Sequence, residues 1–287
     1  MKSEDSTNSE KTLEKNKSQY DALYSSTSGA KMVKVLQRFE AFLDDTTQTD
    51  TSWKGFYLND FRKQLKGKRV LEMGCGDCLN AAIMTMLGAE VVANDISDEP
   101  GRIIAELNAS GVLPKPITYV FGDFLQYDTK EEASFDFVVG KAFLHHLTLD
   151  LERQFLEKTA RLLKPGGQAR FFEPAINSLW LDKLRFMIPV SGRPSSLQRK
   201  AFKAWEEADP HPERPNSSEH YRNSGLQYFS KVDIYCIGAI QKFHRLLPSG
   251  SFDRKFRRFA FRLERYLPKY LNDTFARSQL IVLTKAS

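Results

Sequence analysis

Three cysteines in 287 residues are too few to staple a fold. The chain must be held by its core, and a reducing compartment, the cytoplasm, is the expected setting. No apolar run approaches the roughly 18 residues that a membrane span needs. Residues 1–18, MKSEDSTNSEKTLEKNKS, lack the apolar core of a signal peptide, and their acids disfavour a transit peptide. They read as a disordered polar tail ahead of a single domain over 19–287. There is no internal repeat, no long low-complexity tract and no aromatic RNA-binding pattern, so nucleic acid is not an expected partner. The net charge of +6 permits an acidic partner without requiring one.

Histidine is scarce as well. His211 and His220 stand nine apart, which is no recognised metal spacing. No histidine lies near Cys75 and Cys78 to complete a tetrahedral zinc site, so no metal is expected. Small side chains that fit a tight turn account for that cysteine pair.

What is present is alternation. KRVLEMG, AEVVAND, ITYVFGD, FDFVVGK and QARFFEP are short apolar runs, each ending in small, polar or acidic residues. Helical stretches such as LNAAIMTMLG, GRIIAELNAS and DLERQFLEKTARLLKPGG separate most of them. KVDIYC and SQLIVLTKA add later strands. This rhythm predicts a Rossmann-like α/β fold, a doubly wound, mostly parallel seven-stranded sheet with helices on both faces. Ligands then bind at the carboxyl edge of the strands. Ahead of the sheet, KMVKVLQRFEAFLDD predicts one helix over 31–45, and FYLNDFRKQL a shorter one.

After Pro174 the rhythm breaks, and residues 175–275 read as a largely helical cap and substrate region. SLWLDKLRFMI and SSLQRKAFKAWEEA are its predicted helices, and DPHPERPNSSEHYRNSG reads as a polar surface loop. In SFDRKFRRFAFRLERYLPKYL, Phe252, Phe256, Phe259, Leu263 and Leu267 form one apolar stripe at helical spacing. The expectation is that this stripe docks on the sheet while the arginines around it are solvated. The sharper alternative is peripheral contact with an anionic membrane surface.

VLEMGCGDCLN supplies Gly74-x-Gly76 between a predicted strand and a helix, and Asp95 closes the next strand 21 positions after Gly74. That pattern resembles the dinucleotide fingerprint, in which the acid meets ribose hydroxyls. Its third glycine is missing, since position 79 is Leu. The missing glycine weakens a pyrophosphate reading and relaxes to a ligand without phosphates.

With VVANDIS, FGDF, FDFVVGKAFLHHL and LLKPGGQARFFEP following in order, residues 68–174 resemble a class I S-adenosylmethionine (SAM)-dependent methyltransferase. The resemblance implies SAM as cofactor, held by Glu72, Gly74, Cys75, Gly76, Asp95, Ile96, Asp123, Phe124 and Lys141. Glu72 would hold the ammonium of the methionyl end, Asp95 the ribose and Asp123 the adenine amine. Lys141 would offer its backbone carbonyl, its side chain having no assigned role. His145 is expected to face the substrate as general base or orienting group, with plain packing of both His145 and His146 as the alternative. Tyr20 and Tyr24 are candidates for a segment closing over the cofactor.

The implied reaction is methyl transfer to O or N of a small organic or lipid-like acceptor. An RNA or protein methyltransferase using the basic C-terminal face, or a SAM-binding protein without catalysis, are the rival readings. The sequence is silent on oligomeric state.

Overall fold

The computed structural model describes residues 24, 27–126, 132–190, 192–208 and 211–287. Seven strands form one sheet in the order β3-β2-β1-β4-β5-β7-β6. They are β1 (Arg69–Met73), β2 (Glu90–Asp95), β3 (Thr118–Phe121), β4 (Phe135–Lys141), β5 (Leu163–Pro174), β6 (Lys231–Ile237) and β7 (Ser278–Thr284). All pairings are parallel except those of β7, which runs antiparallel to both β5 and β6. The doubly wound sheet expected from the alternation is therefore the observed one. Its winding reverses between β1 and β4, the place where such sheets open a crevice at their carboxyl edge.

Central β1 shows why the sheet is buried on both faces. Successive strand side chains point to opposite sides. Val70 enters the core layer shared with Ile83, Ile103 and Val139, while Leu71 enters the other, with Val138, Leu156 and Phe171. Both are fully buried. On the first face lie α1 (Gly29–Leu36), α2 (Phe39–Thr49), α3 (Thr51–Phe56), α4 (Phe61–Gln64), α5 (Leu79–Met86) and α6 (Glu99–Ala109). Helix α7 (Leu149–Leu162) covers the second face and puts Phe155, Leu156 and Leu162 into its core.

Two expectations about the first helices need correction. The helix expected over 31–45 is two, broken at Gln37 and Arg38. The halves dock on different partners: the Gly29 amide at the start of α1 donates to Glu106 of α6, whereas α2 packs on α3. The helix expected in FYLNDFRKQL is interrupted by Asn59 and Asp60, both at positive φ. Asp50 instead starts α3 one turn earlier, its carboxylate accepting from the amides of Ser52 and Trp53.

The cap contains α8 (Leu179–Met187), α9 (Arg199–Ala208), α10 (Ser218–Gly225), α11 (Ser251–Glu264) and α12 (Lys269–Phe275). Helix α11 reverses the expected orientation. Its buried residues are Asp253, Ala260, Phe261 and Glu264. Most of the stripe expected to dock faces outward: Phe252 is 64% and Phe259 58% exposed and Leu263 is exposed too, while Phe256 and Leu267 are half-buried. The reason is a polar anchor: the Glu264 carboxylate accepts the amides of Gly238, Ile240 and Gln241, closing the loop after β6. Hydrogen bonds to a charged group are worth about 1.5–3 kcal/mol each, enough to set which face turns inward.

Candidate active site

The turn after β1 is built from residues that tolerate a left-handed backbone. Gly74 and Gly76 have φ of +62° and +53°, and Cys78 follows at +62°. A Cβ on Gly74 would come 2.7 Å from the Phe143 ring, and one on Gly76 would come 2.6 Å from the Tyr24 hydroxyl. The turn thus needs glycine for both conformation and space. Asp95, at the end of β2, braces it: one carboxylate oxygen accepts from the Gly76 amide at 2.9 Å and the other from the Ser97 amide at 3.0 Å. Cys75 and Cys78 are free, buried thiols within this turn, and burial pushes the Cys75 thiol well up.

Around the turn opens a cavity of about 420 Å³. It is lined by every SAM-binding residue expected above, from Glu72 to Lys141, and by Tyr24. Tyr20 lies outside the described residues. Asp123 caps the short turn that follows it, accepting from the Leu125 amide, and Phe124 beneath packs on Phe155. The Lys141 ammonium lies over the Trp53 ring, 4.6 Å from its centre, which supplies the role its side chain lacked.

Glu72 tests whether this cavity suits SAM. It is 1% exposed, and one oxygen accepts from the Asn80 side chain at 2.7 Å. Its other oxygen is buried without a hydrogen-bond partner. Burial raises its pKa to about 8, against the opposing Asn80 hydrogen bond and the charge of Lys141. A buried acceptor left empty at the rim of a ligand cavity fits an incoming ammonium, which would both pair it and ionise it. Acids line the rest of the edge, and the glycine turn leaves room for a backbone-hugging ligand. The donor set fits a nucleoside that carries cationic groups. Asn80 and the Tyr57 hydroxyl that donates to it were not singled out from the sequence, because helix position 80 looks like ordinary packing.

The second cluster lies where β4 and β5 end. Leu144–His146 form a short 3₁₀ turn. His146 lines the cavity; His145, the residue expected to face the substrate, is absent from its lining and turns toward β5. There its Nδ1 lies 2.6 Å from Glu173. Glu173 is fully buried, and its oxygens also accept the amides of Phe143 and Leu144 at 2.9 and 2.7 Å. With so many donors converging on the carboxylate, Nδ1 is the donor in this pair. Burial first, then His145 and His211, hold the pKa of His146 down to about 2, so it stays neutral.

The loop read as solvated surface reaches into this cluster. The guanidinium of Arg214 is buried, pairs with Glu152 of α7 and donates to the carbonyls of Leu144 and Leu147 at 2.8 Å. His220 adds a contact to Glu152 at 3.0 Å. So anchored, the loop carries His211 over the turn, its ring stacked 4.8 Å from that of His145. Nitrogens of His145, His146 and His211 all come within 4.8 Å of one another. Sequence spacing could not show this cluster, because two of its members are separated from the third by 65 positions or more.

Residues 70–167 match the family model described as a methyltransferase domain. The ubiquinone biosynthesis O-methyltransferase of Aliivibrio fischeri is 31% identical over 115 residues, 40% of this chain and 47% of that protein. Its counterpart in Klebsiella pneumoniae is 32% identical over 117 residues, 40% of this chain and 46% of that protein. The chain thus spans about half the length of the curated relatives it matches. Among solved structures, a SAM-dependent methyltransferase from Archaeoglobus fulgidus superposes with a TM-score of 0.50 at 19% identity, over 79% of this chain and 91% of that one. That likeness is one of fold.

Proposed function

We propose that this chain, a class I SAM-dependent methyltransferase in its fold and its nucleotide cavity, transfers a methyl group to an oxygen or nitrogen of a small organic acceptor. The observation that carries this reading is the adjacency of two devices at one sheet edge. One is the acid-lined cavity around the Gly74 turn; the other is the His145–Glu173 pair next to it. The match of residues 70–167 to the methyltransferase domain supports the same reading.

SAM supplies an electrophilic methyl group on a sulfonium. The protein's own tasks are to orient, to exclude water and to move a proton. Glu72 and Asp95 are suited to the ammonium and the ribose. Tyr24 closes the turn from above. His145, with Nδ1 committed to Glu173, has Nε2 available to take the proton of an acceptor hydroxyl or amine. His211, brought in by Arg214, covers that imidazole from the cap side. A lipid-like acceptor is the finer form of this proposal. The outward apolar face of α11, flanked by arginines, supports contact with an anionic membrane surface.

The test is to incubate the purified chain with methyl-labelled SAM and a small-molecule extract, then follow label by mass spectrometry. Transfer to an organic acceptor is expected. SAM binding by calorimetry with no label moved to any small molecule would sink the catalytic reading and leave a binding protein.

A further inference from the structure

A second cavity, of about 370 Å³, opens on the same sheet edge over β5, β6 and β7, and none of its lining residues is shared with the first. Its floor is Ala175 and Arg277, which flank the paired ends of β5 and β7. Its roof is α8, and one wall is the 3₁₀ turn Gln241–Leu246. Its charge is one-sided. Arg185, Arg193, Arg277, Lys242 and Arg245 line it, and Asp182 is the single acid among the lining residues.

That acid is shared. Asp182 accepts from Arg277 at 2.6 Å, while Arg185 Nε lies 2.9 Å away but is misaligned for a hydrogen bond. Arg193 spends one nitrogen on the carbonyls of Arg185 and Ile188, and its Nε is buried without a partner. Lys242 donates to the carbonyl of Phe275 and lies over the Phe243 and Phe275 rings, 5.3 Å from each centre. The cations therefore depress one another. Burial, then Arg277, bring Arg185 down to about 9, and burial, then Arg277 and Arg185, bring Lys242 down to about 8. Partly desolvated, like-charged groups that share a single counter-ion are costly to a fold, and a further anion relieves that cost. Planar guanidinium forks match the oxygens of phosphate and carboxylate. The mouth has the opposite character: Leu184, Ile188, Phe243 and Leu246 are each between 40% and 54% exposed.

We propose that this cavity binds an anionic amphiphile, whose phosphate or carboxylate meets Arg185, Arg277 and Lys242 and whose apolar body lies along Leu184, Ile188 and Phe243. The assignment does not require methyl transfer, so it is tested on the full chain without SAM.

Calorimetry with monomeric decyl phosphate, with inorganic phosphate and with decanol separates the two halves of the ligand. Decyl phosphate is expected to bind at least about tenfold more tightly than either fragment, because both head and tail contribute. A fourth arm uses phosphatidylcholine vesicles containing phosphatidic acid. Binding of monomeric decyl phosphate points to a dissolved anionic metabolite; binding to the vesicles alone points to a lipid headgroup. Either supports the site.

In whichever arm binds, Lys242→Met is expected to weaken binding about tenfold. Asp182→Asn is expected to tighten it by removing the competing carboxylate, a gain that a purely structural role for Asp182 would not give. Should Asp182→Asn fail to fold, Lys242→Met still decides. No binding in any arm, or binding unchanged in Lys242→Met, overturns the proposal.

Discussion

The carboxyl edge of the sheet carries two cavities of opposite charge. Over β1 and β2 the lining is acidic, with Glu72, Asp77, Asp95 and Asp123 facing the single lysine Lys141. Over β5, β6 and β7 it is basic, with Asp182 alone among Arg185, Arg193, Lys242, Arg245 and Arg277. Chain neighbours explain why one fold can hold both. The acids sit at the ends of early parallel strands and in their turns, where they also brace backbone amides. The basic residues come from the cap and from the start of β7, segments added outside the doubly wound core. The early half suits a ligand with cationic groups, the late half an anionic one. Glu173 stands at the seam, at the end of β5.

The largest effect is expected at that seam. Glu173→Gln would put an amide where the carboxylate accepts from His145 Nδ1 and from three backbone amides. The imidazole would lose its fixed orientation, and the rate should fall by about 10² to 10⁴. Because Glu173 positions His145 and does not line either cavity, the loss should appear in kcat while SAM affinity stays within a few-fold. Thermal melting checks that the variant folds. A parallel collapse of SAM binding would show that the seam is structural and that the two halves are not separable.

Next comes the acidic half as a proton-linked site. Glu72, at about 8 when buried, is protonated near neutrality, whereas in the unfolded chain it titrates near 4.3. The folded state then holds a proton that the unfolded state has lost. The contribution of Glu72 to stability without ligand, read as the difference between wild type and Glu72→Gln, should be greatest below about pH 4.3, fall as pH rises and level off above about 8, by on the order of a few kcal/mol. Binding of a cationic group to Glu72 reverses this. SAM affinity should rise by up to tenfold per pH unit from 6 to about 8, with close to one proton released per ligand at pH 7. Calorimetry in two buffers of different ionisation enthalpy measures the release. In Glu72→Gln both the slope and the release should vanish; their persistence would move the linkage to another group.

A smaller loss is expected from Asp95→Asn, which keeps an oxygen for the Gly76 amide yet loses the charge offered to the ribose. SAM affinity should fall roughly tenfold, the weight of one charge-assisted hydrogen bond. An unchanged dissociation constant in a folded variant would remove Asp95 from the ligand and leave it only as the brace of the turn.

Legibility followed the same division. The sheet and its strand ends were readable because short apolar runs, glycine turns and terminal acids are local signals, and the lining of the first cavity because those runs resemble a methyltransferase in order and spacing. The partners of those residues were not. Asn80 looks like helix packing, and Glu173 looks like the end of a strand until His145 is brought to it. Arg214 looks solvated because its acid, Glu152, lies 62 positions away. The cap resisted for a different reason. In α11 the apolar periodicity is real but names the wrong face, since Glu264 answers to loop amides that only the tertiary structure supplies.

That misread face gives the last and smallest prediction. Phe252, Phe259 and Leu263 are exposed on α11, with Tyr266 just beyond its end. Of the flanking arginines, Arg254 and Arg258 are tied to Asp45, and Arg257 to Asp253. Arg262 and Arg265 remain the charges best placed to meet an anionic surface. Replacing Phe252 and Phe259 together by Ser should change stability by no more than about 0.5 kcal/mol, because exposed side chains contribute little to the core. If the face inserts at a membrane interface, each ring should be worth about 1 kcal/mol there, so the double variant's partitioning onto anionic vesicles should fall roughly thirtyfold. High salt should release the wild-type chain. The two basic features can be told apart in the same assay: Lys242→Met alters the cavity without touching α11. Loss of vesicle binding in the double phenylalanine variant alone would make α11 the membrane contact. Loss in Lys242→Met alone would leave the cavity as the contact and α11 as an unpartnered face.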